Sequence, residues 1–415
     1  MVAIHRDTRP FVVSAPGKVI MFGEHAVVYG KSAIAGSVDM RAYALVTPSS
    51  GHSVRLVLPD IDVDVEFDVR QLPRLRPGDL AHPGDVETLL AEGIDVPEGP
   101  GRTAVLAFVY LYGSLVAEAG ALGFTMCVRS LLPVGAGLGS SASFNVVLSA
   151  ALLQMTGQLQ GEGATEEDRR LINSWAFQGE QVAHGTPSGI DNSVATYGGF
   201  LEYTKGHGPA PLHSTHALRV IITNTNVPRS TKALVAGVRA LRDAHPAVVD
   251  SILDAIHNIS VTAATLFQAP EEAAGGELER QLHDVIRMNH GLLSALGVGH
   301  PSLERVRDIA AGHQMASKLT GAGGGGCALT LVPRDAPKGA AARVAAEMAD
   351  EGFCCHQAVV GGAGVAIAYS VGAEPVDKWV RSMLGHSAER APDSDAISGF
   401  ATLPEATIAM LAPSH

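Results

Sequence analysis

The sequence is poor in the features that mark secreted and disulfide-bonded proteins. Its four cysteines, Cys127, Cys327, Cys354 and Cys355, show no C-x-x-C spacing, and the adjacent last two are badly placed to form a disulfide. The first seven residues contain no apolar core of a signal peptide. We therefore predict a protein of the reducing cytoplasm.

Basic charge and long apolar runs are also scarce. Lys and Arg number 30 against 42 Asp and Glu, a net charge of −12, so no overall positive field could hold nucleic acid or an anionic membrane. The most apolar stretch, residues 103–124, is interrupted by Gly113, Glu118 and Gly120 and predicts a buried helix rather than a membrane span. We expect neither nucleic acid nor membrane as a partner. A polyanionic ligand would have to be held by local groups and Mg²⁺.

Several catalytic motifs are missing. The chain has no G-x-x-x-x-G-K-[ST] loop, no G-x-S-x-G elbow and no zincin histidine spacing. Residues 321–326 do match G-x-G-x-x-G, but a dinucleotide site needs a strand before this loop and a helix after it. Here the pattern predicts a helix ending near Lys318 before the loop and the strand Cys327 to Val332 after it, so we predict no Rossmann site.

A glycine-rich stretch, Leu132 to Ser143, precedes an apolar run from Phe144 to Met155. The pattern predicts a tight loop that opens into a buried helix, whose first N–H groups and macrodipole would bind an anion such as phosphate. Ser140 or Ser141 could cap this helix, and a hydroxyl there could reach a metal ion carried by a nucleotide. An ordinary glycine turn with a serine cap is the alternative.

Charged residues at three other places complete a candidate site. Lys18 follows Pro-Gly between two predicted strands, and Glu24 and His25 follow the second, so a hairpin-like unit would carry all three. Glu180 lies near the end of the helix predicted over 166–184, and Asp191 opens the next turn. Each could be a solvated surface charge. Lys18, Glu180 and Asp191 form, with this glycine loop and the later one at 321–326, the minimum set for phosphoryl transfer, in which the acids serve metal and base.

The length of 415 residues predicts more than one domain. We place an N-terminal domain at 1–226 and a C-terminal domain at 227–385, because residues 231–312 are mostly helical by spacing whereas strands dominate before them. Residues 386–415 have weak periodicity and are predicted to be a flexible or loosely docked tail.

The sequence resembles the GHMP small-molecule kinases. The resemblance rests on three ordered motifs, Ser14 to Val28, Gly135 to Ala142 and Lys318 to Cys327, and spans about residues 11–372. It implies an α+β fold, the GHMP kinase fold, with a left-handed β-α-β N-terminal domain, a ferredoxin-like C-terminal domain and the active site in the cleft between them.

The resemblance also implies roles for individual residues. Asp191 would be the catalytic base, with Lys18 its partner beside the transferred phosphoryl group, and Ser141 and Glu180 would bind Mg²⁺. Glu24, His25 and Thr231 would surround the acceptor, together with Lys18 and Asp191. ATP would contact Lys18, Ser130, Gly135, Ala136, Gly137, Leu138, Gly139, Ser140 and Ser141. Asp60 departs from the family, which has an adenine-contacting asparagine there.

Within the family, the motifs most resemble the members that phosphorylate the primary hydroxyl of mevalonate with ATP, in isoprenoid biosynthesis. Such members are usually homodimers inhibited by prenyl diphosphates. Kinases of galactose or phosphomevalonate, a mevalonate diphosphate decarboxylase and a non-catalytic ligand sensor remain alternatives.

Overall fold

The computed structural model describes residues 9–72, 74–75, 99, 101–116, 123–133, 136–160, 164–214, 217–270 and 276–369. Gly135 and the predicted tail, 386–415, therefore lie outside the described residues.

The described chain contains long strands in its first half and most of its helices in its second. The strands are β1 (Phe11–Phe22), β2 (Ala33–Ser49), β3 (Ser53–Leu58), β4 (Val63–Asp68), β5 (Gly123–Ser130), β6 (Phe200–Thr204), β7 (Gly208–Leu212), β8 (Leu218–Asn224), β9 (Ala316–Leu319), β10 (Cys327–Leu331), β11 (Cys354–Val360) and β12 (Ala366–Ala368). The α-helices are α1 (Arg102–Leu115), α2 (Ser140–Met155), α3 (Glu166–His184), α4 (Ile190–Tyr197), α5 (Thr231–Ala244), α6 (Pro246–Phe267), α7 (Gly276–Ala295), α8 (Pro301–Gly312) and α9 (Ala340–Asp350).

The twelve strands join in one mixed sheet whose main path runs β4-β3-β5-β2-β11-β8-β10-β9. Strand β2 is central, because it also pairs with β1 and β6 and meets β11 at Val38 and Val360. Strands β3 and β5 run parallel, and the other pairs are antiparallel. The sheet therefore continues from the N-terminal strands into the C-terminal ones.

Strand β1 runs unbroken through Pro16-Gly17-Lys18, and the expected hairpin-like unit is wrong. Its pairing with β2 shifts register between Pro16 and Gly17. Such an irregularity lets a strand accept a proline, which has no N–H for the ladder. Lys18 therefore lies within a strand, whereas Glu24 and His25 follow its end.

The second glycine cluster joins two antiparallel strands. Helix α8 ends at Gly312, not near Lys318, and β9 then pairs with β10 across the loop. All four residues of β9 are buried, so the alternation that identifies a half-exposed strand is absent from the sequence. The Rossmann arrangement is still excluded, because a strand and not a helix follows the loop.

Helix α2 forms the centre of the larger core. Twelve of its sixteen residues are buried, and it packs against α1, α3 and β1. A helix that is apolar on all sides belongs inside a protein. Helix α3 starts at a capping box between Thr165 and Asp168, which fixes its first turn.

The domain division at residue 226 remains a prediction. Strand β8, on its N-terminal side, pairs with β10 and β11. Strand β12, on its C-terminal side, pairs with β1. Among the described helices, none is long and apolar enough to cross a membrane.

Candidate active site

The glycine loop delivers the start of α2 to the surface of a cleft. Gly139 is the N-cap residue, and Ser140 and Ser141 are the first two helical residues. The expectation that one of these serines caps the helix is therefore wrong. The loop is held against β1, because the Lys18 N–H donates to the Leu138 carbonyl at 2.8 Å and the Ser143 hydroxyl donates to the Pro16 carbonyl at 2.6 Å. The first N–H groups of α2 therefore face a fixed position, which suits an anion.

Lys18 and Asp191 form an ion pair beside this loop. Lys18 Nζ lies 3.0 Å from Asp191 Oδ1, with 10% of the lysine side chain and 39% of the aspartate side chain exposed. Asp191 is the second residue of α4, and Lys18 lies on β1. The pair thus combines a positive charge and a proton acceptor next to the N-terminus of α2.

Ser141 and Glu180 also meet, across the contact between α2 and α3. The Ser141 hydroxyl donates to Glu180 Oε1 at 2.6 Å, and the Asn145 amide donates to the same oxygen at 2.7 Å. His184 Nε2 lies 3.0 Å from Ser141 Oγ. Sequence reasoning missed Asn145 and His184, although each is four residues from a predicted metal ligand and so lies on the same helix face.

The cleft between these groups has a volume of about 600 Å³, within the range for small-molecule sites. Its polar end brings together five of the sequence-predicted site residues, which are Gly137, Gly139, Ser141, Glu180 and Asp191. Its other end is mainly apolar and is formed by Leu58, Ile61, Ala104, Ala107 and Val128, with Ser130 and Asp60 among them. A nucleotide with its phosphates at the glycine loop would find an apolar wall for its base and ribose.

Asp60 lies in this wall and is already engaged. Its Oδ2 accepts the Ser130 N–H at 2.7 Å, and its Oδ1 is 3.3 Å from the Arg129 guanidinium. The carboxylate therefore holds the end of β5 at the cleft.

Of the five predicted acceptor-side residues, Asp191 lines the cleft, whereas Lys18, Glu24, His25 and Thr231 are not among the residues that line it. Glu24 points inward, where its carboxylate forms an ion pair with Lys318 and accepts the Asn289 amide at 3.1 Å. His25 has a φ of 60° and contacts the Ala322 carbonyl through Nε2 at 2.9 Å. Thr231 is the exposed first residue of α5.

Arg229 bridges the two glycine loops. Its guanidinium donates to the carbonyls of Ala136, at 3.1 Å, and Gly325, at 3.3 Å. A Cβ on Gly326 would lie 1.2 Å from Arg229 Nη1, so only glycine leaves room for this bridge. The sequence gave no sign of this role for Arg229.

Cys327 lies behind the bridge, with its thiol 3.4 Å from the Ala136 carbonyl. Burial raises the pKa of Cys327 to about 11, which keeps the thiol protonated at neutral pH. It is therefore no candidate for a nucleophile.

The donor set fits magnesium that arrives with a nucleotide. Ser141 and Glu180 offer hard oxygen ligands at the helix terminus, and Mg²⁺ is commonly bound through one or two carboxylates plus substrate phosphates. Within the described part of the chain, no cluster of three or more His, Cys, Asp or Glu side chains is arranged to hold a metal by itself. The phosphates would have to supply the remaining ligands.

Comparison with known proteins identifies the family. A model described as the GHMP kinases N terminal domain matches residues 105–199, and one described as GHMP kinases C terminal matches residues 272–352. The mevalonate kinase of Bos taurus is 42% identical over 375 residues, covering 86% of this chain and 94% of that protein. The chain belongs to the GHMP kinase family.

Other comparisons extend this assignment. The mevalonate kinase of Candida albicans is 38% identical over 427 residues, covering 95% of this chain and 98% of that protein. The crystal structure of Methanococcus jannaschii mevalonate kinase shares the fold, with a TM-score of 0.65 at 23% identity over 84% of this chain and 97% of that one. The predicted GHMP kinase fold and the resemblance to this family are thereby confirmed.

Proposed function

We propose that the chain transfers the γ-phosphoryl group of ATP to the primary hydroxyl of mevalonate, which gives 5-phosphomevalonate and ADP. The observation that carries the proposal is the Lys18–Asp191 pair, at 3.0 Å, beside the N-cap Gly139 of α2, with Asp191 lining the cleft. Relatives about 40% identical over most of the chain are mevalonate kinases, which favours this substrate over galactose or phosphomevalonate.

The nucleotide would lie along the cleft with its phosphates at the helix terminus. The N–H groups of residues 135–141 and the macrodipole of α2 would bind the phosphate oxygens, and Ser130 would lie near the base end. Ser141 and Glu180 would hold Mg²⁺, which neutralises charge on the β- and γ-phosphates when it is bound.

Asp191 and Lys18 would carry out the transfer. Asp191 accepts a hydrogen bond from the mevalonate hydroxyl and takes its proton as the oxygen bonds to the γ-phosphorus and the bond to the β-phosphate oxygen breaks. Lys18 orients the Asp191 carboxylate and offsets negative charge between the phosphoryl group and the acceptor. Because the transition state is loose, the orientation of the hydroxyl contributes alongside proton removal.

The acceptor would enter from the side of His25 and Thr231. Glu24 supports that side from behind, since its carboxylate is bound by Lys318 and Asn289. Arg229 holds the two glycine loops together.

A coupled ADP-release assay with mevalonate, galactose and phosphomevalonate tests the proposal. We expect turnover with mevalonate and a kcat/KM at least about 100-fold lower for galactose and phosphomevalonate, because the site would be complementary to only one of the three substrates. Preference for another substrate, CO₂ release from mevalonate diphosphate, or no turnover at all would overturn it.

The family resemblance supports two further properties of this protein. We expect a homodimer, which light scattering after size exclusion would detect. Prenyl diphosphates are expected to compete with ATP, because they too offer a diphosphate to the helix terminus. The cytoplasmic location stays a prediction.

A further inference from the structure

Helices α2 and α3 each direct two polar residues at the other. Ser141 and Asn145 are four residues apart on α2, and Glu180 and His184 are four apart on α3, so each pair shares a helix face. The four side chains meet at the polar end of the cleft. Ser141 and Glu180 are the proposed metal ligands, whereas Asn145 and His184 have no role in the proposed function.

The hydrogen bonds in this cluster have a defined direction. Ser141 and Asn145 both donate to Glu180 Oε1, at 2.6 and 2.7 Å. Because the hydroxyl proton of Ser141 is directed at Glu180, His184 Nε2 must carry the proton that it shares with Ser141 Oγ at 3.0 Å. One oxygen of Glu180 thus takes both hydrogen bonds, and among the described residues Oε2 has no hydrogen-bond partner that would keep it from a cation.

The side chain of Asn145 has an orientation that leaves its own amide oxygen without a hydrogen bond in the part of the chain that the structure describes. It is 1% exposed, and its Nδ2 donates both to Glu180 and to the Ser141 carbonyl, at 3.2 Å. Its Oδ1 is buried without a hydrogen-bond partner among the described residues. Flipping the amide would set Oδ1 against two acceptors, so the observed orientation is fixed.

Gly179 makes this approach possible. A Cβ at position 179 would lie 2.3 Å from Asn145 Oδ1, closer than any contact a real Cβ makes. An apolar side chain at 145 would avoid the unpartnered oxygen. The buried amide therefore requires an explanation beyond helix packing.

We propose that Asn145 and His184 are positioning residues for the metal site. Asn145 fixes the Glu180 carboxylate, and His184 fixes the Ser141 hydroxyl, so that Glu180 Oε2 and Ser141 Oγ face the nucleotide-borne Mg²⁺. This inference rests on the proposed function, specifically on Ser141 and Glu180 as metal ligands. Partners that orient metal ligands typically change metal affinity or activity by about 10–100-fold when they are removed.

Mn²⁺ binding provides a test that is independent of turnover. Electron paramagnetic resonance would measure free Mn²⁺ during titration of the full-length protein saturated with ADP. We expect Asn145→Leu and His184→Ala to weaken Mn²⁺ binding about 10–100-fold. His184→Gln, which keeps a donor, should restore part of the loss. ADP affinity in EDTA should change less than threefold.

Ser149→Ala is the matched control. Ser149 lies one turn beyond Asn145 on the same helix and is also buried with a hydroxyl that lacks a partner in the described chain, but it is not in the cluster. Its loss should leave Mn²⁺ affinity unchanged.

The outcomes separate this inference from the proposed function. If Glu180→Gln and Ser141→Ala do not weaken Mn²⁺ binding, the metal assignment in the proposed function is wrong. If they do, but Asn145→Leu and His184→Ala bind Mn²⁺ like the unmodified protein, only the positioning role is wrong. Should Asn145→Leu fail to fold, the exposed His184→Ala alone decides between the two results.

Discussion

Two lysine–carboxylate pairs involve the first strand or the residues just after it, and they differ in their access to water. Lys18 and Asp191 meet at the cleft, where 39% of the aspartate side chain is exposed. Lys318 and Glu24 meet inside the protein, where the side chains are 0% and 1% exposed. The same two chemical groups thus occur once in an accessible site and once in a sealed one.

Exposure decides what each pair can do. The open pair can exchange its internal contact for contacts with a phosphoryl group and a hydroxyl, because Asp191 lines the cleft and 39% of its side chain is exposed. Around the sealed pair, burial lowers the pKa of Lys318 while the Glu24 charge opposes that shift. A buried ion pair contributes little net stability over an apolar pair, but the loss of one partner leaves an uncompensated charge. We therefore expect damage to the first pair to affect catalysis and damage to the second to affect folding.

The largest expected effect is on turnover. Asp191→Ala should lower kcat by roughly 10²–10⁴-fold, because it removes the proton acceptor and the partner that orients Lys18. The melting temperature should change by no more than a few degrees, since the lost carboxylate is partly solvated. Steady-state kinetics and thermal denaturation measure the two effects.

A third pair supplies the control for this experiment. Lys31 and Asp254 also form an ion pair, but 34% and 57% of their side chains are exposed and neither residue lines the cleft. Asp254→Ala should leave kcat unchanged. Near-normal turnover in Asp191→Ala would remove the basis for the catalytic assignment.

The next effect is on stability. Lys318→Met should destabilise the fold by about 3–5 kcal/mol, because the Glu24 carboxylate would remain buried without its cation. The double substitution Glu24→Met with Lys318→Met should recover most of that loss, since it buries no charge. Urea denaturation gives the free energies of unfolding.

Lys31→Met, at the solvated pair, is the matched control and should cost less than about 1 kcal/mol. If the double variant is as unstable as the single one, the sealed pair contributes directly to stability and the contrast between the two pairs is wrong.

The sequence predicted the elements that have a local pattern. The buried helix after the glycine loop and the helix predicted over 166–184, which is α3, follow from the residue pattern of their own segments. The sequence did not predict the elements whose secondary structure depends on pairing with distant strands. Strand β1 continues through a proline because β2 accommodates a register shift, and β9 is a strand because both its faces are buried.

The candidate site shows the same division. Motif resemblance identified Lys18, Ser141, Glu180 and Asp191, and the structure brings them together in two contacts at the cleft. The motif could not reveal that the Glu24 side chain is buried and paired with Lys318 rather than facing the cleft. That outcome depends on Lys318, nearly 300 residues away in the chain. Arg229 escaped notice for the same reason, because its partners are backbone carbonyls in two distant loops.

The smallest expected effect is a pH dependence near the sealed pair. His290 is 2% exposed, accepts the Leu319 N–H through Nδ1 at 3.2 Å and lies 3.1 Å from Glu304. Burial lowers the pKa of His290, against the opposing charge of Glu304. Below about pH 6.5 the unfolded chain binds a proton at this histidine that the folded chain does not bind. Stability contributed by neutral His290 is therefore present at pH 7.5 and is lost as the pH falls below about 6.5.

His290→Asn keeps an acceptor for Leu319 but cannot titrate, so the free energy of unfolding should fall less between pH 7.5 and pH 5.5 than in the unmodified protein. The difference cannot exceed about 1.4 kcal/mol, the limit for one proton over the one pH unit below 6.5. Exposed His207→Asn is the matched control and should preserve the original pH dependence. An equal pH dependence in His290→Asn would mean that water reaches the region around Lys318 and Glu24 and hydrates a charged imidazole there. The two ion pairs would then differ less in their access to water than their exposed fractions indicate.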